Sequence, residues 1–153
     1  MNASFLHTLA DIFQSQINNL EKEIDSFDEE LLWDVKPGIS NSAGNLALHL
    51  VGNLNYYIGS VIGKTGFIRN RENEFSARGI LAAELIKMIQ DTRTMIADVL
   101  LTKLPESALE QEYPVIVIEK PMTYQYFMVH LSAHLGYHSG QINYLRRILH
   151  ANS

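Results

Sequence analysis

The chain has 153 residues, a formal net charge of −5 and no cysteine, and its length suits one compact domain spanning residues 1–153. The acidic balance and the lack of clustered Lys and Arg argue against nucleic acid or an anionic membrane as a partner, because phosphate binding depends on concentrated positive charge. Without cysteine there are no thiolate ligands, so a transition-metal site must use nitrogen and oxygen donors, histidine above all.

A long amphipathic helix is predicted near the N-terminus. Apolar residues recur three and four apart from Phe5 to about Phe27, the spacing of a helix with one buried face. This segment has no basic leader, and no apolar run approaches the roughly 20 residues that span a bilayer, so we expect a cytoplasmic protein without a membrane partner. The stretch FDEELLWDVKPGISNS then predicts a short helical turn followed by a loop, because it carries a Pro-Gly pair and capping side chains.

The second helix is predicted to be strongly apolar. It begins after Asn41 or Ser42, either of which can accept bonds from the first free backbone amides, and it ends at Gly63 or Gly66. The following polar segment, KTGFIRNRENEFSARG, is expected to be a loop whose charged side chains pair only weakly in water.

Two more helices complete the predicted architecture. The third runs from about residue 80 to residue 104, where Pro105 stops it, and the last opens at Pro121 or Thr123 and continues to about His150. Between them, EYPVIVIEKP predicts a lone extended segment or the edge of a small hairpin. Four long helices in one small domain indicate an all-α four-helix bundle. The longer connections leave the order of the helices around the bundle open.

The last helix carries three histidines four residues apart, His130, His134 and His138. Residues four apart on a helix are offset by about 40° and about 6 Å along the axis, so either adjacent pair can meet at one point. The outer two are separated by about 12 Å of rise, whereas nitrogen donors on one metal lie only about 3 to 4 Å apart. The last helix therefore offers two ligands at most, and spacing alone does not choose the pair.

A further imidazole is available on the second helix, where His49 lies in the apolar stretch NLALHLVGN. A polar ring among apolar neighbours needs a partner, and a divalent metal shared with the last helix would satisfy several rings together. Zinc-protease, di-iron, phosphate-loop and nucleophile-elbow motifs are all missing. The alternative is a bundle that acts by association, in which the small residues Ser132, Ala133, Gly136 and Gly140 allow close helix approach within the chain or in a homodimer.

A histidine in the middle of the second helix, followed in the last helix by the H-x-x-x-H-x-G-Q motif of His134, His138, Gly140 and Gln141, resembles the DinB/YfiT-like superfamily of metalloenzymes. The resemblance covers the whole chain, including LLWDVKP and RNRENEF, which look like a bacterial branch. It implies an up-down-down-up bundle in which His49, His134 and His138 hold a divalent metal, Zn or Ni, with water in the open positions. One departure is that Ser139 stands where relatives often have arginine.

The same resemblance implies a metal-dependent enzyme acting on a small-molecule substrate. Relatives include S-transferases and isomerases that use a low-molecular-weight thiol, and an open metal position would equally suit a hydrolase, because coordination makes either thiol or water a nucleophile at neutral pH. It also makes His130 a residue beside the metal or in its cavity, with Tyr137 and Gln141 near the same face.

Other residues are candidates to support such a site. Asn45 and Asn53 lie one turn either side of His49 and are predicted to orient its free ring nitrogen. Trp33 precedes a loop that could close over the end of the bundle, so it is the favoured aromatic for a substrate pocket. Core packing explains the spacing of the remaining candidates equally well, namely Tyr56, Tyr57, Tyr124, Tyr126 and Phe127.

Overall fold

The computed structural model describes residues 4–151, and this part of the chain is helical without a β-strand. The helices are α1 (Phe5–Asp25), α2 (Ala43–Leu54), α3 (Arg71–Ser76), α4 (Ala82–Asp98) and α5 (Tyr124–Ala151). π-Helical segments extend α2 over Asn55–Ile62 and α4 over Val99–Lys103, and 3₁₀ turns form at Glu29–Leu31 and Glu106–Ala108. No helix within the described residues is long and apolar enough to cross a membrane.

The predicted helix boundaries agree with the structure where caps are clear. Ser4 caps α1 by accepting a hydrogen bond from the His7 amide, and the buried face of α1 includes Phe13, Ile17 and Leu20. Ser42 caps α2 in the same way through the Asn45 amide. Gly63 ends the π-helical continuation of α2. The segment EYPVIVIEKP forms no strand and takes part only in isolated bridges, Glu112 with Thr123 and Ile118 with Lys120.

The polar segment after α2 differs from its prediction as a loop, because it contains the short helix α3. Asn70 caps α3 by accepting from the Asn73 amide, 3.0 Å away. The prediction that its charged residues pair weakly in water is wrong for Glu74, which is only 5% exposed. The reason is tertiary: the side-chain amide of Asn45 donates to the backbone carbonyls of Glu74 and Ala77, both at 3.0 Å, and so holds α3 against α2.

Polar contacts along α5 give its direction relative to its neighbours. The Ser132 hydroxyl donates to Gln16 of α1 at 3.2 Å, and Arg146 pairs with Glu23 further along both helices at 2.6 Å, so α1 and α5 run parallel. Gly136 also faces Gln16. Gly136 and Ser132 therefore allow α5 to approach α1 closely within the same chain. His49 of α2 lies beside His134 and His138, whereas Tyr57, further along the continuation of α2, contacts Phe127 near the start of α5, so α2 and α5 are antiparallel.

Contacts of α4 complete the arrangement. Gln90 donates to Glu21 of α1 at 2.7 Å and Arg93 to Asn18 at 2.9 Å, so α1 and α4 are antiparallel. Asn55 donates to Thr92 at 2.8 Å, and Lys103 reaches the Gly63 carbonyl at 3.3 Å, so α2 and α4 are parallel. Each of α1 and α2 therefore packs against both α4 and α5, which is the up-down-down-up bundle that the resemblance implied.

Candidate metal centre

Three imidazoles converge where α2 packs against α5. Nε2 of His49 lies 3.2 Å from Nε2 of His134, which lies 3.1 Å from Nε2 of His138. One nitrogen from each ring can be chosen so that all three lie within 4.8 Å of one another. The two short separations match the roughly 3 to 4 Å between nitrogen donors on one metal ion, so the cluster could hold a metal. The antiparallel crossing of α2 and α5 brings His49 to this pair of the ladder rather than to His130.

The outer nitrogens of two rings are occupied by hydrogen-bond acceptors. Nδ1 of His49 lies 3.0 Å from Oε2 of Glu74, and Nδ1 of His138 lies 2.7 Å from Oε1 of Gln141. An oxygen acceptor at Nδ1 holds the proton there, which leaves the Nε2 lone pair directed at the other rings. Both rings are thus oriented as metal-bound histidines usually are, with the free N–H on a carboxylate or carbonyl.

The middle ring, His134, shows that the three rings cannot satisfy all of their own hydrogen-bonding nitrogens. Its Nε2 faces both neighbouring Nε2 atoms but can donate only one proton, while its Nδ1 is buried without a partner in residues 4–151. Burial, together with the neighbouring His138 and His49, lowers the pKa of His134 to about 4. Burial also lowers the pKa of His138. These two imidazoles are therefore neutral at pH 7, the form that binds a metal, and the three nitrogen donors fit a divalent ion such as zinc.

Glu74 is the residue that the sequence analysis missed. Its carboxylate takes two hydrogen bonds from Arg69, Nε to Oε1 at 2.7 Å and Nη2 to Oε2 at 3.0 Å, besides the one from His49. Burial opposes its ionisation, but the hydrogen bonds from His49 and Arg69 outweigh burial and hold the pKa of Glu74 below its usual range. A buried, ionised carboxylate thus accepts the N–H of His49.

Gly52 makes room for that carboxylate. A Cβ at this position would lie 2.0 Å from Oε1 and 2.8 Å from Cδ of Glu74, too close for any real side chain. The sequence carried a signal of this approach, since a glycine three residues after His49 interrupts an otherwise apolar helix, where it is unfavourable relative to alanine. The signal indicates a close neighbour without identifying it.

The two asparagines predicted to orient His49 do not contact its ring nitrogens. Asn45 instead binds the backbone of α3, as described above, and its Oδ1 accepts from Ser42 at 2.7 Å and Arg78 at 2.8 Å. Asn53 is 7% exposed, and its Oδ1 has no partner in the described part of the chain. The direct orienting role predicted for both is therefore wrong, and Asn45 acts on His49 only through the placement of α3 and Glu74.

The remaining candidates occupy different surroundings. His130 lies outside the three-ring cluster and stacks on Phe127 with ring centroids 6.0 Å apart, and it lines the adjoining cavity. Tyr137 is 65% exposed and contacts the edge of His138 from outside. Trp33 does not line this cavity, contrary to its prediction.

Trp33 instead packs at the start of α2. Its Nε1 donates to the Ile80 carbonyl at 3.0 Å. Three atoms of its ring lie 2.7 Å from the position that a Cβ on Gly44 would occupy. The aromatic ring therefore fills the space that this glycine leaves, and Trp33 joins the loop after α1 to the segment before α4.

A cavity of about 330 Å³ adjoins the histidines. Its polar lining consists of His49, His134, His130, Asn53, Arg69 and Arg71, and its apolar lining of Tyr57, Val117, Phe127 and Leu131. Two of the three rings of the cluster thus face a space large enough for a small molecule.

The helix arrangement and the converging histidines define an all-α bundle with a candidate three-histidine metal centre. A crystal structure of a DinB-like protein from Bacillus cereus is similar over 90% of each chain, with a TM-score of 0.69 and 22% sequence identity, a likeness that shows the fold. The chain belongs to the family described as "Protein of unknown function (DUF1572)", which matches residues 1–153. No curated protein matches the sequence.

Proposed function

We propose that this protein binds a divalent metal, zinc or nickel, through His49, His134 and His138, and that it is a metal-dependent enzyme acting on a small molecule. The observation that carries the proposal is the convergence of three Nε2 atoms, two of them on rings whose Nδ1 is already bonded to an oxygen acceptor. Three protein ligands beside a cavity leave a metal position open, as catalytic rather than structural zinc sites do.

The reaction types that fit are thiol S-transfer, with a low-molecular-weight thiol as cosubstrate, and hydrolysis. A divalent ion would supply Lewis acidity and lower the pKa of a thiol or water at the open position. The chain itself keeps His134 and His138 neutral and orients His49 and His138. Burial maintains His134 unprotonated, Glu74 accepts the His49 proton, and Gln141 accepts that of His138.

Metal content of tag-free protein, measured by elemental mass spectrometry, tests the binding site. About one divalent ion per chain is expected, lost in His49→Ala, His134→Ala and His138→Ala. His130→Ala is the matched control, because it removes a histidine of the same helix that lies outside the cluster. Stoichiometric metal retained in a helical His134→Ala variant would refute the proposed ligand set.

Cobalt substitution separates the two reaction types. A thiol cosubstrate is expected to add a sulfur-to-metal charge-transfer band to the cobalt protein, and that band should be absent from His134→Ala. Hydrolysis of small esters that requires the metal, without any spectral response to thiols, would favour the hydrolase. A metal-loaded protein that responds to neither thiols nor hydrolysable substrates would remove support for an enzyme.

Association is a second candidate function, supported by an exposed apolar face of α5. Tyr137 and Tyr144 are each 65% exposed and Val129 49%, and the small residues Ala133 and Gly140 are exposed on the same helix. Such a face would suit a homodimer. Light scattering tests it: a dimer converted to monomer by Tyr137→Ser with Tyr144→Ser would support association, and a monomer at all concentrations would exclude the homodimer.

A further inference from the structure

The cavity beside the histidines carries charge of one sign. Arg69 and Arg71 line it, and of the described residues no Asp or Glu does so. The carboxylate of Glu74 is 5% exposed, and both of its oxygens are already bonded, to Arg69 and His49. The cationic groups on the wall are therefore not matched by an acidic group that faces the cavity.

Guanidinium N–H groups remain available on that wall. Arg71 forms no ion pair within residues 4–151, and its Cζ lies 5.6 Å from the centre of the Phe75 ring. Arg69 holds Glu74 through Nε and Nη2, and in the described structure no hydrogen bond involves its Nη1. A planar guanidinium with free N–H groups pairs best with a carboxylate or phosphate oxygen.

Asn53 gives an independent sign of a ligand. Its side chain lines the cavity and is more than nine-tenths buried, yet its Oδ1 has no partner in the described residues. Buried amides are nearly always hydrogen-bonded, so this one needs a group that enters the cavity. Four neighbouring side chains are apolar or aromatic and suit an apolar body, namely Tyr57, Val117, Phe127 and Leu131.

We propose that this cavity binds a small organic carboxylate. Its anionic group pairs with Arg71 and the free edge of Arg69, and its body lies against Phe127 and Leu131. Oδ1 of Asn53 accepts a hydrogen bond from an N–H or O–H group of the ligand. The proposal names the substrate class of the proposed metal site, and in that respect it rests on the proposed function. The carboxylate contact itself depends only on the arginine wall.

Benzoate and its neutral isostere benzamide are suitable probes, because they differ in charge and fit an aromatic-lined cavity. Binding of each is followed by NMR titration of the zinc-loaded protein and of the chelator-treated protein. Benzoate is expected to bind about tenfold more tightly than benzamide in both forms, the effect of one charge-assisted hydrogen bond.

Arg71→Gln should remove most of this preference, the remainder coming from Arg69, while zinc content and benzamide binding stay unchanged. Arg147→Gln is the matched control, because Arg147 is also exposed and lies over an aromatic ring, with Cζ 5.4 Å from the Tyr144 centroid, but outside the cavity. This control should keep the full preference for benzoate.

The outcomes separate the cavity from the metal. Equal binding of benzoate and benzamide would overturn the proposal. A preference for benzoate that is lost when zinc is removed, but is unchanged in Arg71→Gln, would also overturn it, because benzoate would then be binding the metal alone. A preference that requires Arg71 in a chain that binds no zinc would support the carboxylate site while refuting the proposed metal-dependent function.

Discussion

Replacing Gly52 with alanine tests whether Glu74 orients His49 for metal binding. The added methyl would lie 2.0 Å from Oε1 of Glu74, so this oxygen must move by about 1.4 Å to reach the 3.4 Å at which ordinary contact begins. The methyl would also lie 2.8 Å from Cδ of Glu74, so the whole carboxylate must move, including Oε2, which now lies 3.0 Å from Nδ1 of His49. A shift of about 1 Å takes that pair beyond hydrogen-bonding range. Gly52→Ala should therefore release the N–H of His49 without changing any proposed ligand.

The expected loss is tenfold to a hundredfold in zinc affinity, the usual effect of removing an outer hydrogen bond to a metal-bound histidine. This corresponds to about 1.4 to 2.7 kcal/mol. Affinity is a better readout than unfolding, because alanine in a helix adds about 0.5 to 1 kcal/mol of stability and would oppose the cost of displacing Glu74 from Arg69. The assay is competition for zinc with a chromophoric chelator at pH 7.

Gly140→Ala is the matched control, since a Cβ there would meet nothing within 4 Å. It should keep the zinc affinity and gain about 0.5 to 1 kcal/mol of stability. The double variant Gly52→Ala with Glu74→Ala should bind zinc no more weakly than Glu74→Ala alone, because both changes act through one carboxylate. Losses that add, or an unchanged affinity in Gly52→Ala, would refute the reasoning.

Three further predictions concern other parts of the site. The urea midpoint of the metal-free protein should fall as pH drops from 6.5 to 4. In this range His134 becomes protonated in the unfolded chain but stays neutral in the folded chain, where its pKa is about 4, so His134→Asn should reduce the pH dependence. Trp33→Phe should lower the free energy of unfolding in urea by about 1 kcal/mol, because the hydrogen bond to the Ile80 carbonyl is lost, and it should leave the zinc content unchanged. A loss of zinc in this variant would indicate that Trp33 supports the metal site. Gln141→Ala should weaken zinc binding less than about tenfold in the chelator assay, because Gln141 is exposed and water can replace its bond to His138; a loss as large as that of Glu74→Ala would contradict this.

The helices themselves were predictable because their signals are local. Apolar spacing along α1 and the cap at Ser42 depend on residues within one or two turns, so α1 and the start of α2 follow from the sequence. The change from α- to π-helix at Asn55 was not predicted. It coincides with an Asn55 side chain that bonds both the Val51 carbonyl and Thr92 of α4, and the second contact exists only in the packed bundle.

The candidate site likewise has a part that the sequence predicts and a part that depends on tertiary packing. Histidines four residues apart must meet on one side of a helix, so the sequence by itself determined that α5 can offer a pair of imidazoles and α2 a third. Which pair faces His49 depends on how α2 crosses α5. The carboxylate that binds His49 depends on Asn45 holding α3 in place and on the space at Gly52. Glu74 read as a solvated charge in a polar segment because only tertiary packing removes it from water, and no local pattern records that burial.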